Sequence, residues 1–245
     1  MHPRARSSAL GRCICVLLAL GDAEFIRLKS AMSHSITPTI VHGIPSAMLD
    51  DAVALYDDAF GAKFAVAVPN TTRRLSLLSS SLNLSFAFAA IAENRLVGLA
   101  GYKTHSGSFT DRMTFAVLAK HVGLIRGTWA ACVFSLYERS LRPGELLMDG
   151  IVVDANFRGN GIGTLLLDSL TTFAENSGFH SIRLDVIDTN PNARRMYERN
   201  AFVATKTEHF GYLRWLLGFG ASTTLVRKTP NRRITYKGLD SASLF

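Results

Sequence analysis

The stretch RGNGIGTLLL, residues 158–167, limits the possible folds more than any other part of the chain. It places Gly159, Gly161 and Gly163 at alternate positions and then runs directly into a leucine-rich helical pattern. Glycine costs entropy inside regular structure, so such a cluster marks a backbone that bends sharply or lets something approach closely. The preceding stretch, LLMDGIVVD, has the composition of a buried strand. The sequence therefore predicts a strand, a glycine loop and a helix in succession.

Two familiar phosphate-binding loops have strict spacing and can be compared with this stretch. A Walker A loop needs a lysine after its last glycine, and Thr164 follows Gly163 here, which excludes that loop. A dinucleotide-binding loop needs a third glycine where this chain has Leu166. Asp185 does lie near the end of the next predicted strand, where such a fold places its ribose-binding acid. The dinucleotide interpretation is therefore weakened but not eliminated.

A loop between a strand and a helix start is suited to bind an anion. The first N–H groups of a helix lack partners within it, and the helix dipole is positive at that end. The glycines remove side chains that would hold a pyrophosphate away from these groups, and Arg158 adds a positive charge. The alternative is a tight turn without a ligand, but three alternating glycines are more than a turn requires. We therefore favour an anion site.

Length and composition predict one domain that is not embedded in a membrane. A chain of 245 residues with 48% hydrophobic content can bury one sizeable core. Its apolar runs stay well short of the ~20 residues of a membrane span, so we expect a soluble protein without a membrane partner. The three cysteines form no disulfide framework and no metal-ligand spacing. This usage predicts a cytoplasmic protein without a bound metal.

The net charge of +8 is concentrated at the two ends of the chain. Residues 1–31 carry five Lys or Arg against two acids, and residues 227–245 carry five against one. The remaining body is almost neutral, so a basic stripe on the folded domain is not supported. Nucleic-acid binding is therefore disfavoured and would depend on the tails.

The predicted domain boundaries follow from these patterns. Residues 1–35 form an N-terminal extension that we expect to be disordered, with Met32 as the working start, although residues 13–20 loosely resemble a signal-peptide core. A domain spans residues 36–228 and contains a helical insert at about 103–145. A basic tail follows at residues 229–245.

Strand and helix patterns alternate through the predicted domain. Residues 85–103 predict a hairpin with its turn near Glu93. The stretch SIRLDVI predicts a half-exposed strand with Ile182, Leu184 and Val186 facing inward. The helix after the glycine loop has a predicted apolar stripe of Ile162, Leu165, Leu166, Leu170 and Phe173.

With this glycine loop and its flanking strands, the sequence resembles the GCN5-related N-acetyltransferase (GNAT) family. The family signature of Arg or Gln, two residues, Gly, one residue, and Gly or Ala matches Arg158, Gly161 and Gly163. The strands MDGIVVD and IRLDVI and the segment DTNPNARRMYERNAF match in order and spacing. The resemblance implies an α/β fold with a mixed, mostly antiparallel sheet, in which two central parallel strands splay apart and acetyl-coenzyme A inserts between them.

The resemblance also implies which residues contact the coenzyme. They lie on the strand, the loop and a later helix start: Ile151, Val152, Val153, Arg158, Gly159, Asn160, Gly161, Ile162, Gly163, Thr164 and Asn190. Asn190 has an explanation of its own, because Asn followed by Pro191 is a strong helix start. Relatives usually have a glycine before the aromatic residue that follows this helix. Here Asn200 and Ala201 stand there, and we expect Asn200 to supply a left-handed cap, shifted at most by one residue.

Two residues are candidates for proton transfer in an N-acetyltransferase. An amine is mostly protonated at neutral pH, so a base must remove a proton before nitrogen attacks the thioester. Asp149 stands where many relatives carry a glutamate base; the alternative is a hydrogen-bonded acid at a strand edge. Tyr197 matches the family tyrosine that points at the coenzyme sulfur; the alternative is a tyrosine packed on the sheet. A backbone N–H of Ile151 or Val153 is the candidate oxyanion donor.

The acceptor is the least defined part of this prediction. We expect a small-molecule amine or a peptide amine, and a homodimer is an open possibility. The aromatic residues of the stretch HFGYLRWLLGFG fit an acceptor pocket, a dimer face or simple core equally well. The leading function is an acetyl-coenzyme A-dependent N-acetyltransferase acting by direct transfer in a ternary complex. The alternatives are a non-catalytic acyl-coenzyme A sensor and a nucleic-acid-associated protein that uses its tails.

Overall fold

The computed structural model of the protein describes residues 37–135, 138–211 and 214–230. The described residues from Pro38 onward belong to one compact unit. The extension predicted at residues 1–35 lies outside the described residues, as does most of the predicted basic tail. Strands and helices alternate along the described part of the chain, in the order that the sequence predicted.

The strands are β1 (Thr39–His42), β2 (Ala87–Ala92), β3 (Arg95–Thr104), β4 (Gly107–Ser108), β5 (Glu145–Val153), β6 (Ser181–Ile187), β7 (Val203–His209) and β8 (Ala221–Lys228). The helices are α1 (Leu49–Ala65), α2 (Thr71–Ser81), α3 (Phe115–Val122), α4 (Leu124–Ser135), α5 (Ile162–Asn176), α6 (Pro191–Arg199) and α7 (Arg214–Leu217). Helices α3 and α4 form the predicted helical insert, between β4 and β5.

One mixed sheet joins the strands in the order β1-β2-β3-β5-β6-β8-β7, with β4 paired to β3. Strands β5 and β6 pair in parallel, and the other pairings of described strands are antiparallel. The predicted fold class, a mixed and mostly antiparallel α/β sheet, is therefore confirmed. A doubly wound dinucleotide fold has a mostly parallel sheet, so that interpretation of the glycine loop is wrong.

The predicted hairpin joins β2 and β3 through a two-residue turn. Glu93 and Asn94 both have positive φ, 52° and 57°. Positive φ at both central residues is typical of a type I′ turn, whose twist matches that of the flanking strands.

Two glycines show which helix covers which face of the sheet. A Cβ on Gly98 would lie 3.2 Å from Leu166 of α5, and a Cβ on Gly150 would lie 2.7 Å from Phe60 of α1. Gly150 pairs with Gly101, which lies three residues from Gly98 and so points to the opposite face. Helix α1 therefore covers one face and α5 the other, and both approach the sheet closely because glycine has no side chain.

The apolar stripe predicted for α5 is wrong at one position. Leu165 is 40% exposed, whereas Leu167 is fully buried beside Leu166 and Leu170. Successive helical residues are about 100° apart, so a stripe centred between Leu166 and Leu167 turns Leu165 away from the sheet.

Helix α6 ends with a left-handed residue at a different position from the one expected. Ala201 has φ +62°, whereas Asn200 has φ −96°. The N–H of Phe202 donates to the carbonyl of Tyr197, and the N–H of Ala201 donates to that of Glu198. These two bonds form a Schellman motif, so the cap is shifted by one residue and an alanine takes the position that favours glycine.

We expect Ala201→Gly to raise the free energy of unfolding by about 1 kcal/mol, because the left-handed conformation strains a residue with a Cβ. Urea denaturation of the purified protein measures the change. The matched control is Ala193→Gly within the same helix, where glycine is expected to lower stability by about 1 kcal/mol. Equal destabilisation by both substitutions would contradict the assigned backbone strain.

Candidate active site

The glycine loop lies where the sequence predicted it, between the end of β5 and the start of α5. Asp154 ends the strand: its N–H donates to the Val97 carbonyl at 2.9 Å, and its carboxylate accepts from the Asn156 N–H at 2.8 Å. Gly159 and Gly161 have φ of +85° and +76°, which favours glycine. A Cβ at either position would meet no atom within 4 Å. The space in front of the α5 N-terminus is therefore open and fits a phosphate group.

Side chains of the loop stabilise its shape and supply its charge. The Arg158 guanidinium donates from Nε to the Val153 carbonyl at 3.0 Å, which holds the charge beside the end of β5. The Asn160 amide donates to the Phe157 carbonyl at 3.2 Å. Ile162 is 1% exposed, so its side chain belongs to the core and only its backbone is available to a ligand.

Gly163 brings helix α6 close to the start of α5. A Cβ on Gly163 would lie 3.2 Å from the Met196 sulfur, which is closer than side chains normally pack. The third loop glycine therefore serves helix packing, whereas Gly159 and Gly161 serve the turn. This contact places Tyr197, the residue after Met196, on the same face of the sheet as the loop.

Strands β5 and β6 separate after a short paired region. Their parallel pairs are Glu145 with Ser181, Leu146 with Ile182 and Leu147 with Arg183. The pairing stops there, although the strands continue to Val153 and Ile187. Alternate N–H groups of β5 beyond Leu147 therefore point into a gap instead of a neighbouring strand. Ile151 and Val153 lie along this gap, and Val152 packs into the core beneath α1.

A β-bulge at Asp149 accompanies the separation. Gly150 pairs with Gly101 of β3, and Met148 pairs with Tyr102, so Asp149 is an extra residue without a partner in β3. A bulge bends its strand and increases the local twist. Here it directs Asp149 to the α1 face, the face opposite the glycine loop.

Asp149 lies among polar side chains that act on its charge. Its carboxylate accepts from the Thr110 hydroxyl at 3.1 Å. Solvent reaches part of the residue, but surrounding protein crowds the carboxyl, and this burial raises its pKa. The charges of Lys63 and Lys103 and the Thr110 bond oppose that rise, and Glu138 adds to it. A carboxylate with a raised pKa is a stronger base than an ordinary aspartate.

Tyr197 lies on the other side of the sheet. It is 6% exposed and packs on Phe202, with ring centroids 5.9 Å apart. Burial raises the pKa of its hydroxyl, so the residue stays protonated at neutral pH. Such a group can donate a proton but is not a base.

Asn190 caps α6 as its sequence context predicted. Its side chain accepts from the Ala193 N–H at 3.1 Å, and Pro191 follows at the first helical position. This cap accounts for the residue without a ligand, and contact with the coenzyme remains a prediction.

The aromatic residues before β8 have different environments. Phe219 is buried and meets Phe210 edge-on, with ring centroids 5.9 Å apart. Trp215 is 82% exposed, so it is not part of the core. Tyr212 lies outside the described residues.

The residues around Asp149 were not identified from the sequence. Lys103 comes from β3 and Thr110 from the segment after β4, and their approach to Asp149 depends on the fold. Lys63 could have been placed from the sequence, because Tyr56, Phe60 and Lys63 follow the i, i+4, i+7 spacing of one helical face. That face is the one that α1 turns toward Gly150 and Asp149.

A mixed sheet with a gap after one parallel pair, and a glycine loop at the adjoining helix, defines an acetyltransferase fold. The model of the acetyltransferase (GNAT) family matches residues 50–202, more than half of the chain. The chain belongs to this family, whose acetyltransferases use acetyl-coenzyme A. Among curated protein sequences, no match was found.

Solved structures agree with this fold. An acetyltransferase crystal structure is 19% identical, with a TM-score of 0.53 over 78% of this chain and 100% of that chain. An N-acetyltransferase from Staphylococcus aureus Mu50 is 15% identical, with a TM-score of 0.53 over 77% and 99%. Arabidopsis thaliana NAA60, in complex with a bisubstrate analogue, is 15% identical, with a TM-score of 0.51 over 80% and 99%. At these identities the likeness concerns the fold.

Within residues 37–135, 138–211 and 214–230, no group of side chains is arranged to hold a metal ion. Over the same ranges, no helix has both the length and the apolar character needed to cross a membrane.

Proposed function

We propose that the protein is an N-acetyltransferase that moves an acetyl group from acetyl-coenzyme A to a primary amine by direct attack in a ternary complex. The observation that carries the proposal is the gap between β5 and β6, with the glycine loop on one face and Asp149 on the other. The two substrates can then meet in the gap from opposite faces. On the evidence of its cysteine usage, we propose the cytoplasm as its location.

The coenzyme would lie on the α5 side of the sheet. The N–H groups at the start of α5, the open space before Gly159 and Gly161, and Arg158 together suit its pyrophosphate. Ile151 and Val153 would pair with the pantetheine arm through the backbone groups that β6 leaves unpaired. We place Val152, Asn160, Ile162, Thr164 and Asn190 in the same contact set.

Proton transfer would then run from one face of the sheet to the other. Asp149, directly or through a water molecule, takes a proton from the acceptor ammonium, and the freed nitrogen forms a C–N bond with the thioester carbonyl carbon. A backbone N–H of Ile151 or Val153 stabilises the oxyanion. The C–S bond breaks as the nitrogen releases its second proton to solvent, and Tyr197 donates its proton to the leaving thiolate and regains one from solvent.

The proposal predicts release of free coenzyme A thiol from acetyl-coenzyme A with one class of amine. The panel contains small amines, amino acids, polyamines, amino sugars and peptides with lysine or N-terminal amines. We expect Tyr197→Phe to lower kcat by about 100-fold, because the thiolate loses its proton donor. The control is Tyr102→Phe, which removes the hydroxyl of another buried tyrosine, one that bonds His42 at 2.7 Å.

Three outcomes separate the possibilities. Equal kcat values for the two phenylalanine variants would remove Tyr197 from the chemistry. Thermal stabilisation by acetyl-coenzyme A without turnover of any amine would favour an acyl-coenzyme A sensor. Neither stabilisation nor turnover would overturn the proposed function.

A further inference from the structure

Residues 138–142 cross the α1 face of the sheet beside the gap, and we call this segment the strap. Glu138 binds Lys103 of β3, with 2.5 Å between Oε1 and Nζ. Arg139 binds Asp185 of β6, with 2.8 Å between Nε and Oδ2. The Arg183 guanidinium donates to the Ser140 carbonyl at 2.5 Å. Since β3 lies on one side of the gap and β6 on the other, the strap connects the two halves of the sheet.

Arg139 and Asp149 face the same space from opposite sides of the gap. The last parallel pair is Leu147 with Arg183, so Asp149 and Asp185 each lie two residues beyond it. In a strand, residues two apart share a face, and Asp185 therefore points to the same face as Arg183. The Arg139 guanidinium bound to Asp185 lies across the gap from the Asp149 carboxylate.

Arg139 is only partly engaged by its protein partners. Its Nε donates to Asp185, whose other oxygen accepts from Thr224 at 2.5 Å, and its Nη1 donates to the Glu138 carbonyl at 3.5 Å. Its Nη2 is 4.0 Å from Glu208 Oε2, which is too far for a hydrogen bond. The side chain is 30% exposed, so its guanidinium has N–H donors within reach of a ligand. A guanidinium matches the two oxygens of a carboxylate in geometry and charge.

Lys63 brings a second positive charge to this space. Burial lowers its pKa, the Asp149 charge raises it, and the Arg139 charge lowers it again. Lys63 is therefore close enough to both Arg139 and Asp149 for its pKa to respond to the charge of each. The charged groups around the gap on this face are the pairs Lys103–Glu138, Arg139–Asp185 and Arg183–Glu145, together with Lys63, Asp149 and Glu208. Lys103 pairs with Glu138, and Arg139 pairs with Asp185 through Nε. The other N–H groups of Arg139 therefore lie on one side of the space, and Asp149 lies on the other.

We propose that the acceptor is a small zwitterion, an amine with a carboxylate a few bonds away, and that Arg139 binds this carboxylate. The inference rests on the proposed function and names the substrate class of the same site. Lys63 adds positive potential at the carboxylate, while Asp149 attracts the ammonium group at the other end of the molecule. A neutral amine offers no carboxylate to the remaining guanidinium N–H donors, and a dication meets like charge at Arg139.

The test compares acceptors that differ only in the carboxylate. L-phenylalanine is paired with L-phenylalaninamide, and L-lysine with cadaverine, in the coenzyme A release assay. We expect kcat/KM to be at least about 10-fold higher for the amino acid of each pair, the size of a hydrogen bond between charged groups. Binding of the same four compounds to the protein saturated with coenzyme A is measured by calorimetry, which gives an answer even without turnover.

Arg139→Met should raise KM for the amino acid to that of its neutral partner and leave KM for acetyl-coenzyme A unchanged. Arg139→Lys keeps the positive charge but lacks the paired N–H donors of a guanidinium. Its KM for the amino acid should lie between those of the wild type and Arg139→Met. The matched control is Arg142→Met, which removes the same charge from an exposed residue of the same strap. Circular dichroism checks that each variant is folded.

The failures of the two proposals are distinguishable. Turnover or binding of the amide equal to that of the acid overturns the zwitterion, and the acetyltransferase stands. The same holds if Arg139→Met lowers activity equally with both members of a pair. Absence of turnover with every amine overturns the proposed function, while calorimetry still decides whether Arg139 binds a carboxylate.

Discussion

Gly161→Glu is expected to abolish coenzyme binding, raising the Kd for acetyl-coenzyme A by about 100-fold or more, which corresponds to about 3 kcal/mol. Two effects combine. The φ of +76° strains any residue with a Cβ, and the new side chain extends into the open space before the α5 N-terminus. Its negative charge then competes with the pyrophosphate for the same N–H groups. Calorimetric titration with acetyl-coenzyme A measures the loss.

Gly178→Glu provides a closely matched control for that experiment. Gly178 also has φ +76°, and a Cβ there would likewise meet no atom within 4 Å. It follows the C-terminus of α5, at the end opposite the glycine loop. We expect a similar loss of stability in both variants but unchanged coenzyme affinity in Gly178→Glu. If both variants bind acetyl-coenzyme A like the wild type, the loop is a turn and not an anion site.

The glycine loop could be predicted because its requirements are local. Positive φ and an open helix start both leave a trace in the sequence, as alternating glycines before a helical pattern. The parallel strands on either side were likewise readable from their apolar composition. The position of the α6 cap could not be predicted, because Asn200 and Ala201 are adjacent and only the backbone decides which becomes left-handed. The hydrogen bonds of the Schellman motif select Ala201.

The acceptor side could not be predicted in the same way because its contacts span long distances in sequence. Arg139 meets Asp185 across 46 residues, and Thr110 meets Asp149 across 39. Neither pair follows a helical or strand period. Asp185 was considered only as a ribose-binding acid, and the structure instead gives it Arg139 and Thr224 as partners.

The bulge at Asp149 explains why one strand can serve both substrates. In a regular strand Asp149 and Gly150 would point to opposite faces, and Asp149 would then face the coenzyme. The extra residue turns Asp149 to the α1 face while Ile151 and Val153 keep their places along the gap. Asp149 and Tyr197 thereby lie on opposite faces, which suits removal of a proton from one substrate and delivery of a proton to the other.

Asp149→Asn is expected to lower kcat by about 100-fold or more at neutral pH, because the amide cannot accept a proton. The pH dependence gives the sharper result. Burial raises the pKa of Asp149. As the pH is lowered, the activity of the wild type should therefore begin to fall at a higher pH than it would with an ordinary aspartate. This fall in activity at low pH is the acidic limb of the pH profile, and Asp149→Asn should lack it. Asp168→Asn, at an exposed position of α5, controls for the same chemical change.

Thr110→Val also tests the assignment of Asp149 as the base, by shifting the pKa of its carboxyl instead of removing the carboxyl. The Thr110 hydroxyl donates to the Asp149 carboxylate and lowers its pKa, so removing the hydroxyl should raise that pKa further. The acidic limb should then move to higher pH, while the rate at the plateau stays close to that of the wild type. A plateau that falls without movement of the limb would make Thr110 a structural residue. An acidic limb that survives in Asp149→Asn would place the base on another group, and the bulge would then serve only to open the gap between β5 and β6.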